Sequence, residues 1–302
     1  MKGVLSPKEL GAAIGVSESS LKRWADSGRL RVARTGGGHR RIDLSEAIRF
    51  VRAHGFDVER PALLGLEDIE TVSDSPAADD PGAAIRVALE SGDGARARGL
   101  ALTHYLEGMP LSLIVDRMIA PAMRAIGERW RHGEDGIMIE HRAADLCSQI
   151  LGRIRDLAVV GPDRPTAVGA APADDPYLLP SLMAASVLAS EGWDEVNLAA
   201  NTPVSVLARA ASDADAHLVW LAVSAERPRA TLAAEIGELR AALESAGVNA
   251  GIVLGGPALA SFTFTEWPGV YHARSMTELA AFAQGLRSGR SENAGGEGVP
   301  LA

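Results

Sequence analysis

The chain has 302 residues, 47% of them apolar and 23% charged, with a formal net charge of −9 at neutral pH. At about 150 residues per domain this is material for two or three packed domains, and the balance excludes wholesale disorder and fibrous repeats. No stretch approaches the roughly 18 uncharged apolar residues of a membrane span, and the first residues lead into polar Ser6-Pro7-Lys8-Glu9 rather than a secretory core, so no membrane association and a cytoplasmic location are expected. A single cysteine, Cys147, makes no internal disulfide and is too few for a thiolate metal site, so it reads as a buried small hydrophobe.

Charge is unevenly spread. Residues 1–60 carry 12 Lys+Arg against 7 Asp+Glu, a balance of +5, which leaves −14 for residues 61–302. A basic head on an acidic body is the electrostatic footprint of a nucleic-acid contact confined to the head. Ser6 as N-cap, Pro7 at the first helical position and Glu9 closing a capping box predict a helix over about 7–14. Gly15 turns the chain, Ser17 caps again, and a second helix runs over about 18–27 to Gly28, with Glu18, Ser19, Lys22 and Arg23 facing outward. This is the order of a helix-turn-helix, whose second helix enters the major groove. Residues 30–34 and 39–42 read as two strands joined by Thr35-Gly36-Gly37-Gly38, a wing that sets Arg34, His39, Arg40 and Arg41 toward phosphate, and Asp43 starts a third helix. Residues 1–62 resemble the DNA-binding domain of the MerR family, and the run from Arg34 through Gly36-Gly37-Gly38 to Arg41 matches its wing. The resemblance implies double-stranded operator DNA as partner, with Lys22 and Arg23 at base edges and the wing arginines on phosphates.

Residues 63–82, rich in acid, Ser and Pro, have linker composition and predict a hinge. Residues 83–160 carry helical periodicity in four stretches, about 83–92, 94–107, 110–131 and 137–158, the pattern of a four-helix bundle. Read by themselves, Trp130 is a core residue and Glu140-His141 a polar helix patch. Their spacing, downstream of the head, resembles the signature of the helical cap in light-responsive, cobalamin-dependent repressors of the MerR type. That resemblance implies that Trp130, Glu140 and His141 line the upper face of a corrin beside its adenosyl group. It departs locally, since Arg131 follows the tryptophan and the histidine comes one place later as His132.

From residue 166 apolar strands, at about 166–170, 195–199, 217–224, 248–255 and 269–272, alternate with helices near 178–191, 203–212, 229–246 and 276–287. The alternation predicts a parallel, doubly wound α/β domain of flavodoxin-like or Rossmann type over residues 161–287, with ligands at the carboxyl ends of its strands. The expected fold is thus multidomain: an α-rich winged helix-turn-helix, a four-helix bundle and an α/β domain, followed by a disordered tail at 288–302. The strand-end loops resemble a cobalamin-binding Rossmann domain, which implies that Thr202, Ser224, Gly255 and Gly256 contact the cofactor, the serine and the glycine pair at its nucleotide tail.

In that family the first loop reads Asp/Glu-x-His-x-x-Gly, and the histidine ligates cobalt from below. Here the run is Asp174-Asp175-Pro176-Tyr177-Leu178-Leu179-Pro180, so Tyr177 stands at the histidine position and Pro180 at the glycine. Neutral imidazole is a good nitrogen ligand, whereas a phenol must first lose a proton with a pKa near 10. Tyrosinate does ligate ferric haem iron. A metal ligand, if the chain has one, is His141 or Tyr177, and a packing role for Tyr177 in a loop no longer used for cobalt stands beside these. The resemblance implies a non-enzymatic transcriptional regulator, a repressor that assembles as a dimer or tetramer on operator DNA, with adenosylcobalamin or another tetrapyrrole as effector and light as a release signal. The alternatives are a cobalamin-independent regulator or protein-interaction antirepressor that keeps the body as scaffold and holds no cofactor, and, more remotely, a methyltransferase carrier module.

Overall fold

The computed structural model describes residues 3–73, 80–129, 134–158, 161, 163–262, 267 and 269–293. They fall into two compact units, residues 1–160 and 161–302. In the first, strand β1 (Val4–Leu5) leads into helix α1 (Pro7–Ala13), whose N-terminus carries the expected capping box: Ser6 Oγ accepts from the Glu9 amide, and Glu9 accepts from the Ser6 amide at 2.8 Å. Gly15, at φ +67°, makes the left-handed turn that an L side chain resists. Helix α2 (Glu18–Asp26), capped by Ser17, follows. Strands β2 (Ala33–Arg34) and β3 (Arg40–Asp43) form an antiparallel hairpin, and β1 pairs on the other side of β3 to give the order β1-β3-β2. Helix α3 (Leu44–His54) closes on Gly55 in the left-handed conformation. Leu5, Leu10, Leu21, Leu30, Ile42 and Phe50 are buried together, and Trp24 and Phe56 flank Phe50 with ring centroids 5.3 and 5.6 Å away.

The expected linker is a correction. Turns of 3₁₀-helix at Pro61–Leu64 and Glu67–Ile69 and helix α4 (Glu70–Ser73) continue the fold through its first half, and residues 74–79 lie outside the described residues. Leu64, Leu66 and Ile69 are buried, so the acidic composition concealed an apolar strip. The strip packs on helix α6 (Gly94–Leu106) of the bundle, where a Cβ at Gly99 would come within 2.2 Å of the Asp68 carbonyl oxygen. Asp68 also pairs with Arg98 at 2.9 Å. On the head side, the Arg52 guanidinium of α3 donates to the Tyr105 carbonyl and lies 3.6 Å from the centre of the Tyr105 ring. Head and bundle are therefore joined by packed contacts rather than by a free hinge.

The bundle comprises α5 (Pro81–Ser91), α6, α7 (Leu111–Ile114), α8 (Ala120–Arg129) and α9 (Glu134–Asp156), with one π-helical turn at Val115–Ile119 between α7 and α8 where a single helix was expected. Ile150, Leu151 and Ile154 of α9 are buried against it, as is Cys147, whose thiol burial pushes up to about 12.

In the second unit β4 (Thr166–Ala170), α10 (Leu178–Ser190), β5 (Asp194–Asn197), α11 (Val204–Asp213), β6 (Leu218–Ala222), α12 (Arg229–Ser245), β7 (Gly251–Gly255), β8 (Val270–Ala273) and α13 (Met276–Asn293) build a parallel five-stranded sheet of order β5-β4-β6-β7-β8. Period-two alternation sends Val168, Val219, Leu221, Ile252 and Leu254 into one core with α11 and α12, and Ala167, Leu218, Trp220 and Val253 into another with α10 and α13. This is the doubly wound arrangement the alternation predicts. The expected tail is a correction at its start, because α13 runs on to Asn293; residues 294–302 lie outside the described residues.

Candidate cofactor site and candidate nucleic-acid interface

On the head, Ser19, Lys22 and Arg23 of α2 and Arg34, His39 and Arg41 of the hairpin are all exposed. The α2 spacing follows from Leu21, which anchors the inner face and leaves 18, 19, 22 and 23 outward. Lys22 forms an i,i+4 pair with Glu18 at 2.7 Å, which holds the Glu18 carboxyl below the ordinary range. Arg40 departs from expectation. Its side chain is only 20% exposed and its guanidinium sits 2.6 Å from Asp26 at the end of α2, with Arg34 3.7 Å from the same carboxylate. Arg40 thus ties the hairpin to α2 rather than standing free for phosphate. The sequence reading missed Lys8 and Arg60, which line a depression of about 670 Å³ with Arg41, Ser6 and Glu9. The Glu9 carboxylate, which accepts from the Ser6 amide and hydroxyl, shares this lining, so three cations and one carboxylate surround an open concavity. In α3, Glu46 is buried and accepts from the Arg31 amide at 2.8 Å and from Arg49 at 2.6 and 2.7 Å. Burial opposes its charge, yet these bonds hold its carboxyl below the ordinary value.

On the bundle, Trp130 lies outside the described residues. Glu140 and His141 sit nearly two turns into α9, His141 exposed and Glu140 half-buried. Ile137 and Met138 precede them on the same stretch at 54% and 56% exposure, an apolar surface beside an accessible imidazole.

In the α/β unit, Tyr177, Thr202, Ser224, Gly255 and Gly256 are brought together at the carboxyl ends of β4, β5, β6 and β7. The point where strand order reverses, between β4 and β6, is where such sheets hold ligands. Here the loops are tied to one another. Asp175, fully buried, accepts from the amides of Ser224 at 2.5 Å, Ala225 at 2.9 Å and Tyr177 at 3.2 Å. The Asn201 amide donates to the Asp175 carbonyl, the Asp174 amide donates to Asn201 Oδ1, and Arg227 reaches the Ala173 carbonyl while pairing with Glu235 at 2.6 Å. Asp174, Ala199 and Asn201 all have positive φ, a strain that these bonds maintain.

Thr202 Oγ1 donates to the Leu198 carbonyl. Gly256 is required by its own fold, since at φ +125° a Cβ would come within 2.1 Å of the Val223 carbonyl oxygen. Ser224 Oγ is buried with no hydrogen-bond partner among the described residues. Tyr177 is 49% exposed at the N-cap position of α10, with Leu178 beside it at 45%. Its phenol is in neither core cluster of the α/β unit.

The donor set fits a corrinoid unequally. The start of α9 offers an apolar surface and an imidazole, whereas the first loop offers a neutral phenol in place of a nitrogen ligand. No group of three or more metal-binding side chains occurs among the described residues, and no helix of those residues is long and apolar enough to cross a membrane. Three solved structures are similar in parts: the monomethylamine corrinoid protein of Methanosarcina barkeri (16% identity, TM-score 0.49, covering 67% of this chain and 96% of that one), a cobalamin-binding protein of Desulfitobacterium hafniense (16%, 0.35, 69% and 99%) and a methanol:cobalamin methyltransferase complex of Methanosarcina barkeri (14%, 0.39, 74% and 84%). No curated protein matches the chain. Residues 83–155, the helical bundle that carries Glu140 and His141, match the family model described as B12 binding domain, and that match supports cobalamin as the cofactor of this chain.

Proposed function

We propose that the chain is a DNA-binding transcriptional regulator whose body senses a corrinoid. The observation that carries the DNA half is the placement of Lys22 and Arg23 on the outer face of a short capped helix, next to a hairpin whose Arg34, His39 and Arg41 are exposed. A helix of this length fits the major groove with its outward side chains at base edges, while the hairpin and the Lys8-Arg41-Arg60 depression take backbone phosphates. Arg40 serves as a positioning residue through Asp26. A small head makes few contacts alone, so paired heads on repeated half-sites, supplied by a dimer or tetramer, complete the interface.

For the corrinoid half, Ile137 and Met138 would provide apolar surface to a macrocycle and His141 an exposed imidazole nitrogen beside it. Adenosylcobalamin, once bound, would supply a cobalt–carbon bond that light can break. The chain's own part is to hold that face and to pass its occupancy to the head through α9, α6 and the packed 61–73 segment, where Arg98 bonds both Gln149 of α9 and Asp68. A corrinoid carrier module is the second reading, favoured by the B12 binding domain match; the missing loop imidazole counts against it.

The test is to titrate the full chain with adenosylcobalamin by absorbance and to follow binding to labelled duplex DNA by anisotropy, in the dark and after illumination. The expected result is a retained corrin spectrum and DNA affinity that rises with the corrinoid and falls on illumination. Retention of corrinoid with no affinity for duplex DNA would favour the carrier reading. DNA binding without any retained corrinoid would leave a regulator of another effector.

A further inference from the structure

Ligands of sheets with the order β5-β4-β6-β7-β8 enter the crevice where β4 and β6 part, and their anionic groups take backbone amides at the strand ends. In this chain the amides of Ser224 and Ala225, at the end of β6, are already taken by the Asp175 carboxylate, which is fully buried. Beneath the loop, the Trp220 indole lies flat on Gly169 of β4: a Cβ there would be 1.9 Å from a ring carbon. The indole Nε1 donates to Ser181 Oγ of α10 at 3.0 Å, and Ser181 donates on to Asn197 Oδ1 at 2.8 Å. An aromatic side chain with its polar atom satisfied, packed with Ala184, Ala185 and Leu188 of α10, leaves no space between β4 and α10.

We infer that the chain's own Asp175 and Trp220 occupy the switch-point crevice and exclude a ligand's nucleotide tail from it. The ligand identity rests on the corrinoid reading, and the consequence is one of specificity: a corrinoid is held by its ring, and its tail adds nothing. Asp175 stands where a tail phosphate would be received, and Trp220 where the attached base would stack. Neither residue touches the ring in this account, so they are specificity-determining residues of the α/β unit.

The experiment compares three probes on the full chain: cobalamin, cobinamide, which has the ring without the nucleotide, and the tail nucleotide α-ribazole phosphate alone. Corrinoids are followed by absorbance, and the nucleotide by the NMR signal of the Trp220 indole N–H, assigned with Trp220→Phe. The expected outcome is cobalamin and cobinamide affinities within about threefold of each other, and no movement of the Trp220 signal with the nucleotide. Cobalamin binding more than about tenfold tighter than cobinamide, or displacement of the Trp220 signal by the nucleotide, overturns the inference. Failure of both corrinoids to bind overturns the corrinoid reading alone, because the nucleotide arm still decides whether the crevice is closed. Trp220→Ala, where it folds, is expected to create a preference for cobalamin over cobinamide that wild type lacks; cobinamide and cobalamin still binding alike in a folded Trp220→Ala chain counts against the indole as the excluding group.

Discussion

The head and the α/β unit treat their polar groups in opposite ways. On the head, Lys8, Lys22, Arg23, Arg41 and Arg60 are exposed, and among the described residues Lys22 alone of these has a close surface ion pair. At the strand ends of the α/β unit, the groups that would receive a ligand are turned inward: Asp175 on two β6-end amides, Asn201 on the first loop, Trp220 on Ser181. Exposed cations retain their hydration and are available for exchange with phosphate, whereas a buried network has already made that exchange internally. The comparison teaches that similarity of loop sequence does not by itself leave a site open.

The largest expected effect tests the closed side. Trp220→Ala removes a buried indole and should cost about 3–5 kcal/mol, seen as a lower denaturant midpoint; a loss under about 1 kcal/mol would mean that the crevice is loosely filled. Asp175→Ala strands the Ser224 and Ala225 amides and should cost about 2–3 kcal/mol. Next comes Glu46→Gln in the head, at about 1.5–3 kcal/mol for a charged acceptor of several bonds. Because the folded Glu46 carboxyl is held below its ordinary value of 4.5, its stabilisation is present above about pH 4.5 and is lost as pH falls through the lower folded value. Wild type and Glu46→Gln stabilities should therefore converge in acid, and a constant difference across that range would assign the effect to packing.

The open side shows smaller, salt-dependent changes. Arg41→Ala should weaken DNA binding by roughly five- to tenfold at all sequences and reduce the salt slope by about 1, while leaving the melting temperature unchanged. Arg40→Ala should lower the stability of the head as well, since it breaks the pair with Asp26. The smallest effect is Tyr177→Phe, which should change stability by less than about 0.5 kcal/mol because the ring is half exposed.

Much of the architecture is legible before folding. Ser6, Pro7 and Glu9 announce α1, and alternating apolar runs announce β4 to β8, because capping and periodicity are local signals. The packed segment at 61–73 is not, since Leu64, Leu66 and Ile69 are too few for periodicity and their burial depends on a partner helix far along the chain. The site is legible by residue type but not by role. Arg40 reads as one more wing cation until Asp26 is seen 2.6 Å away. Trp220 is unremarked in the sequence, and Asp175 appears there only as part of the first-loop run, because their roles are defined by the backbone amides and the glycine they meet across the sheet.

The most direct test of the account is the salt dependence of binding between the full chain and a duplex DNA, measured by anisotropy for wild type and for a Lys8→Ala, Arg41→Ala, Arg60→Ala variant. The account predicts that the logarithm of the binding constant falls linearly with the logarithm of salt concentration, and that the variant's slope is shallower by about 3, close to 0.9 for each lost phosphate contact. Identical slopes for the two proteins, or no salt-dependent binding by wild type, would contradict it.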